Sequence, residues 1–199
     1  MAQGLRKDLV TGLVAIVAMT IVLGLLYPLA ITGISQVAFP GEANGSKVSV
    51  DGEVVGSHLI GQEFKGKPWF HSRPSATGYS GNVTYFGNGG PNSAEVREEI
   101  REELAAYLKL NKPYDHSLTR AGVPVDAVTQ SASGVDPDIS EANALIQAHR
   151  VASVRRLPLA KVEELISENT DSRSLGVLGE PGVNVLELNI SLDREAPLK

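Results

Sequence analysis

LVTGLVAIVAMTIVLGLLYPLAITGI, residues 9–34, decides how the rest of the chain is to be read. From Leu9 to Gly41 no side chain is charged, a run of 33 residues. About 20 helical residues cross the hydrocarbon core of a bilayer, so this segment is long enough with tilt to spare. A secretory signal has an apolar core of about 7–15 residues and a small-x-small cleavage site. Here the core is longer, and the small pairs nearby, such as Ser35 and Val37, make poor sites. A retained transmembrane helix is expected over 9–34, ahead of a cleaved signal or the buried helix of a soluble domain. Pro28 falls near its outer end, where a kink costs less than at the centre. Thr20 and Gly24, one turn apart, could seat a neighbouring helix or simply face lipid.

Orientation is set by the flanks. Arg6 and Lys7 precede the span, while Glu42, Lys47, Asp51 and Glu53 come after it with a net negative charge. Positive flanks stay in the cytoplasm. The expected layout is a cytoplasmic N-terminus (1–8), the span (9–34), a tether (35–46), one extracytoplasmic domain (47–193) and a short tail (194–199), in a cell inner membrane. The 199 residues are 42% hydrophobic and 21% charged, with a net charge of −5; Arg6, Lys7 and Asp8 give residues 1–41 a net +1, which leaves −6 on the rest. An acidic body with no basic run longer than Arg155-Arg156 argues against nucleic acid as a partner. The absence of cysteine removes disulfides, thiol catalysis and thiolate metal sites.

The domain reads as α/β, with α+β as the other arrangement its element order allows. KVSVDGEVVGS carries a hairpin signal at Asp51-Gly52. Phe64 to Ser93 then holds the only tryptophan, three of four phenylalanines and many Gly, Pro and hydroxyl residues without a period. A loop this long binds something or is folded down by its aromatics, with Trp69, Phe70 and Tyr79 the expected anchors. A helix comes next, opened by a capping box of Asn92 and Glu95 and carrying Val96, Ile100, Leu104 and Leu108 on one face. A short strand is expected at Val123–Val128. Asp138 and Glu141 form a second capping box, and Ala142, Leu145, Ile146, His149 and Ala152 make the inward stripe of the next helix. After the break at Leu157-Pro158 comes a short helix with Val162, Leu165 and Ile166 inside. The end of the chain, with Val183 and Val185 in one phase and Leu186, Leu188, Ile190 and Leu192 in the other, is expected to be a closing strand with a bulge.

The chemical inventory is thin. His58, His71, His116 and His149 are far apart, and no HExxH, GxSxG, SxxK or Walker motif occurs. No catalytic, cofactor-binding or metal-ligating residue can be nominated on these grounds. Gly87-Asn88-Gly89-Gly90 could cradle an anion but reads more simply as a turn. Arg73 could pin its loop to a carboxylate or bind a partner protein. Ser75, Thr77 and Ser80 lack a neighbouring base in sequence. Asp136 and Asp138 flank Pro137 as helix-capping residues, a cation site with Asp126 being the second reading. Thr20, Gly24, Arg73, Ser75, Thr77, Tyr79, Asp136 and Asp138 are thus candidates for a partner interface or for ordering the loops. Three function classes stay open: an accessory subunit, an anchored envelope enzyme using Arg73 and the nearby hydroxyls, and an anchored binding module for a small solute.

PWFHSRPSATGYS, VPVDAVTQSASGVDPDIS and LGEPGVNVLELNISLD, in this order behind one N-terminal span, resemble the C subunit of the bacterial high-affinity potassium-transporting P-type ATPase, the Kdp complex. RPSATGY at Arg73–Tyr79, VDP at Val135–Pro137 and LGEP-x-VNVLxLN at Leu178–Asn189 carry the likeness; Asp138 stands where the family pattern has a histidine. The resemblance implies an accessory role in assembly, described in the family as a catalytic chaperone that raises the ATP affinity of the ATPase subunit. ATP and Mg2+ would then be used by that partner. K+ would be carried by a channel-like partner, with a small single-span subunit completing the complex.

Overall fold

The computed structural model describes residues 2–81, 89–90 and 92–198, in two compact units, residues 1–47 and 48–199. In the first unit, α1 (Ala2–Ile21), a π-helical turn (Val22–Leu26) and α2 (Tyr27–Ala38) succeed one another, and Gly4–Ala38 is a helix of 35 residues long and apolar enough to cross a membrane. The π turn has a cause. Pro28 lacks an N–H, and in a regular α-helix its ring collides with the carbonyl four residues back. The preceding turn is wider, with the Tyr27 N–H donating to Val22 O five residues away. The stretch expected as a tether, 35–46, is helical over most of its length. The helix runs on to Ala38, and α3 (Pro40–Ala43) comes directly after, with the Asn44 amide donating to Pro40 O at 2.6 Å and Gln36 Oε1 at 3.1 Å.

β1 (Lys47–Val50) and β2 (Glu53–Ser57) form a two-stranded sheet around Asp51-Gly52, both at positive φ as a tight hairpin turn demands. α4 (Ala94–Asn111) starts one residue later than expected. Ser93, not Asn92, is the cap, its Oγ accepting the Val96 N–H, and the expected pairing with Glu95 does not form. Val123–Val128 is no strand. Pro124 cannot donate to a ladder, and Val125–Ala127 coils into a 3-10 turn.

The second sheet has the order β3 (Asp138–Ile139), β5 (Gly182–Asn184), β4 (Thr170–Asp171), antiparallel throughout, with Ile139 and Thr170 both opposite Val183. α5 (Glu141–Arg155) and α6 (Leu159–Glu168) lie between β3 and β4 in sequence, and α7 (Val185–Glu195) comes after β5. The core is built from Ile139, Ala144, Ala148, Val151, Val162, Ile166, Val183, Leu188 and Leu192, with Phe70 inserted from the long loop.

The last third of the chain departs from expectation at three points. The closing strand is only three residues, and the chain then enters a helix, because Val185, Leu188, Asn189 and Leu192 share one face at helical spacing and are all buried. The cap of that helix is Asn184, whose side chain accepts the Glu187 N–H. Asp138 does not cap α5 either: it sits in β3, and Ser140 Oγ accepts the Asn143 N–H. The buried stripe of α5 is also rotated, with Asn143, Ala144, Gln147, Ala148, Arg150 and Val151 inside while Ala142 and Leu145 are exposed. Gln147 and Arg150 turn inward because the irregular loop packed on them needs hydrogen-bond partners.

Candidate functional site

Arg73 and Asp136 come together. Arg73 Nη1 donates to Asp136 Oδ2 at 2.9 Å, and Nη2 reaches Thr129 Oγ1 and Gln130 O at 3.4 Å each. The Arg73 side chain is about one quarter exposed, a position at which a desolvated guanidinium needs such a partner. Ser75 Oγ donates to Gly134 O at 2.5 Å and accepts the Tyr79 N–H at 3.0 Å and the Thr77 N–H at 3.3 Å. Thr77 Oγ1 also donates to Gly134 O. Gly134 has φ +72, and a Cβ there would meet Thr77 at 2.5 Å, so only glycine lets the two loops approach this closely. Ser131 N–H donates to Pro74 O, and the Tyr79 hydroxyl closes the first loop onto Arg73 O at 2.5 Å. Burial, with Glu63 and Glu103 adding to it, pushes the Tyr79 phenol up to about 12, so it remains a donor at neutral pH.

Asp136 has a second task. Its Oδ1 accepts the Asp138 N–H at 3.1 Å, a local turn around Pro137. The Asp138 carboxyl is raised by burial and then by the like charges of Asp136 and Asp171, while Asn184 Nδ2 donates to its Oδ1 at 3.3 Å. Asp126 is engaged with other groups: the Ser140 N–H, the Ser140 hydroxyl and the Asn143 amide all donate to its carboxylate, at 2.8–3.0 Å. Among the described residues no three His, Asp or Glu side chains form a group that could hold a metal ion. Thr20 is the penultimate residue of α1 and Gly24 lies in the π turn, both exposed; a Cβ on Gly24 would lie 3.8 Å from the Thr20 methyl. Gly87 and Asn88 of the glycine-rich turn, like Tyr85 and Phe86, lie outside the described residues. Gly90 O accepts the Ser93 N–H.

The residues that sequence reasoning missed are those that hold the long loop. Arg150 is fully buried and donates to Lys67 O, to Trp69 O at 2.8 Å, to Asn111 Oδ1 at 2.9 Å and to Gln147 Oε1 at 2.9 Å. Gln147 pairs with both backbone groups of His71, and Asn189 with both backbone groups of Phe70. Arg155 lies 4.3 Å over the Trp69 ring, with Nε donating to Pro68 O and Nη1 to Asp193 Oδ1. Four helix side chains thus serve residues 67–71 as a sheet neighbour would. The available signal was the spacing of Asn143, Gln147 and Arg150, which repeats at i, i+4 and i+7 beside a row of alanines. A cavity of about 250 Å³ adjoins this network, between His71, Tyr79, Glu103 and Tyr107.

These loops lie within the stretch that matches known proteins. The family model described as K+-transporting ATPase, c chain (KdpC) matches residues 9–194. The chain belongs to the KdpC family. Proteins named potassium-transporting ATPase KdpC subunit include one from Mycobacterium tuberculosis, 44% identical over 192 residues that cover 96% of this chain and all of that protein. Another from Streptomyces avermitilis is 43% identical, with 91% of this chain and 90% of the relative covered. A third, from Koribacter versatilis, is 40% identical with 98% of each covered. The KdpC match therefore includes both the membrane helix and the interlocked loops, and it reaches to within a residue of the end of α7.

Proposed function

We propose that this chain is the accessory subunit of an ATP-driven potassium import pump, and that the chemistry is done by its partners. The observation that carries this is the match to potassium-transporting ATPase KdpC subunits over nearly the whole chain. The site chemistry agrees with it. The Ser75 and Thr77 hydroxyls that an envelope enzyme could use are engaged with the Gly134 carbonyl and with backbone N–H groups, and Arg73 is spent on Asp136. A nucleophile needs a base within hydrogen-bond reach, and Ser75 has a carbonyl there instead.

The partners are a channel-like subunit that carries K+, a P-type ATPase subunit that uses ATP and Mg2+, and a small single-span subunit. Arg6 and Lys7 favour an N-terminus in the cytoplasm, with the domain outside the inner membrane. A domain so placed is separated by the bilayer from a cytoplasmic nucleotide site. A chaperone effect on ATP affinity then takes the form of a coupling free energy passed through the membrane helices or through assembly itself. The arrangement is tested by co-expressing the full-length chain with the other pump subunits and purifying through a tag on this chain in mild detergent. Stoichiometric recovery of two large membrane proteins supports the reading; a free monomer that turns over a substrate of its own overturns it.

A further inference from the structure

Six large apolar side chains of the folded domain, on β2, the turn after it and the connection from β4 to β5, face solvent. Val54, Leu59 and Ile60 lie on β2 and the turn after it, and Leu175, Val177 and Leu178 on the connection from β4 to β5, with Leu175 90% and Val177 73% exposed. Scattered exposed leucines are ordinary; clustered ones on a rigid support mark interaction sites. Both turns are rigidly closed. Ser174 and Leu178 exchange two backbone hydrogen bonds of 2.9 Å, Gly176 N–H donates to Arg173 O, and Arg173 pairs with Glu180 at 2.6 Å across the base. Leu175 itself is held at φ +55, a left-handed conformation that a leucine rarely adopts. In the other turn, Ile60 N–H donates to Ser57 O and Gly61 N–H to Val135 O. His58, next to Leu59, reaches Glu187 of α7 at 2.9 Å and, at 3.7 Å, Asp171 at the end of β4, from which the other connection leaves.

We infer that these two turns form a docking surface for a protein partner whose apolar face is bordered by Lys or Arg, another subunit of the same pump; this rests on the accessory reading above. The border on this side decides the occupant. Asp51, Glu53 and Asp171 flank the apolar residues, while Arg173 and Glu180 are paired with each other. An acidic border is repelled by anionic lipid, whose surface binders carry basic flanks, and by a second copy of itself. It is attracted to a basic one, which also sets register and on-rate.

The test places a photo-crosslinking amino acid at position 175 of the full-length chain, co-expressed with the other pump subunits, and illuminates the membranes. The expected product is an adduct with another subunit. Adducts with lipid, adducts with a second copy, or none at all would overturn the surface. In parallel, Leu175→Asp with Val177→Asp should lower recovery of the pump through this chain at least tenfold, with the melting temperature of the chain unchanged because both side chains are solvent-exposed. Recovery at the native level counts against the surface alone. Failure of the unaltered chain to recover the pump would instead overturn the accessory reading, and the surface with it.

Discussion

Among the described residues, Arg150 is a buried charge served by neutral oxygens alone: two backbone carbonyls and the amides of Asn111 and Gln147. Burial lowers its pKa to about 10, with Tyr107 and Tyr114 opposing, so it stays cationic at neutral pH. Its field reaches His71, whose pKa is lowered first by burial and then by Arg150, and raised in part by Gly66 O. A carbonyl only accepts, so His71 Nε2 carries the proton in the 2.7 Å contact to Gly66 O and the ring is neutral. In the unfolded chain the imidazole protonates near its ordinary 6.5, while in the folded chain it resists until lower pH. The unfolded state therefore binds more protons over that window, and stability falls as the pH drops below about 6.5, by at most ~1.4 kcal/mol per pH unit. His71→Gln keeps a donor toward Gly66 and removes the titration. Denaturant melts of the full-length chain in detergent should show a shallower acid limb for the variant; parallel limbs would show that His71 is not the group responsible.

Among the elements, the loop at residues 64–81 is held less by its largest ring than by the one beside it. Phe70 is fully buried in the core among residues of α5, α6 and α7, and its backbone is bracketed by the Asn189 amide. Trp69 is half-buried, stacked under Arg155 and tilted against Phe64 with ring centroids 5.8 Å apart. Phe70→Ala should cost about 3–5 kcal/mol by emptying a core position. Trp69→Ala should cost less, since it exposes a partly wet face and removes a cation–π contact of about 1 kcal/mol. Thermal melts of the two variants decide the order, and a larger loss at Trp69 would contradict it. The same elements show what could be read in advance. The membrane helix, the Asp51-Gly52 hairpin and the apolar face of α4 were legible because each is a local pattern of charge, turn residues or period. The caps slipped because Asn92 and Asp138 lie one and two residues before the serines that occupy the capping position. In α7 the alternation of Leu186, Leu188, Ile190 and Leu192 mimicked a strand, though Val185, Leu188 and Leu192 also fit a helix. The stripe of α5 was misread for a different reason. Its inward Gln147 and Arg150 answer to a loop 76 or more positions away, and no local pattern carries that information.

For the molecule as a whole, charge is the organising feature: Arg6 and Lys7 before the span, and an acidic body after it. A tag at Lys199 should accordingly react with a membrane-impermeant reagent once the outer layer is permeabilised and the inner membrane is intact; reaction only after inner-membrane lysis would reverse the orientation. Under the proposed accessory role the partners would do the chemistry, and the Arg73–Tyr79 and Ser133–Ser140 loops would order the assembly. Arg73→Ala deletes the ion pair to Asp136 and leaves that carboxylate without its guanidinium, loosening the lock between the two loops. The decisive quantity is potassium-stimulated ATP hydrolysis per mole of intact purified complex, with assembly yield scored separately. An accessory subunit predicts that Arg73→Ala lowers the yield or weakens coupling to potassium while assembled complexes keep substantial turnover. Complexes formed in full yield that no longer hydrolyse ATP, together with ATP crosslinking directly to this chain, would contradict it.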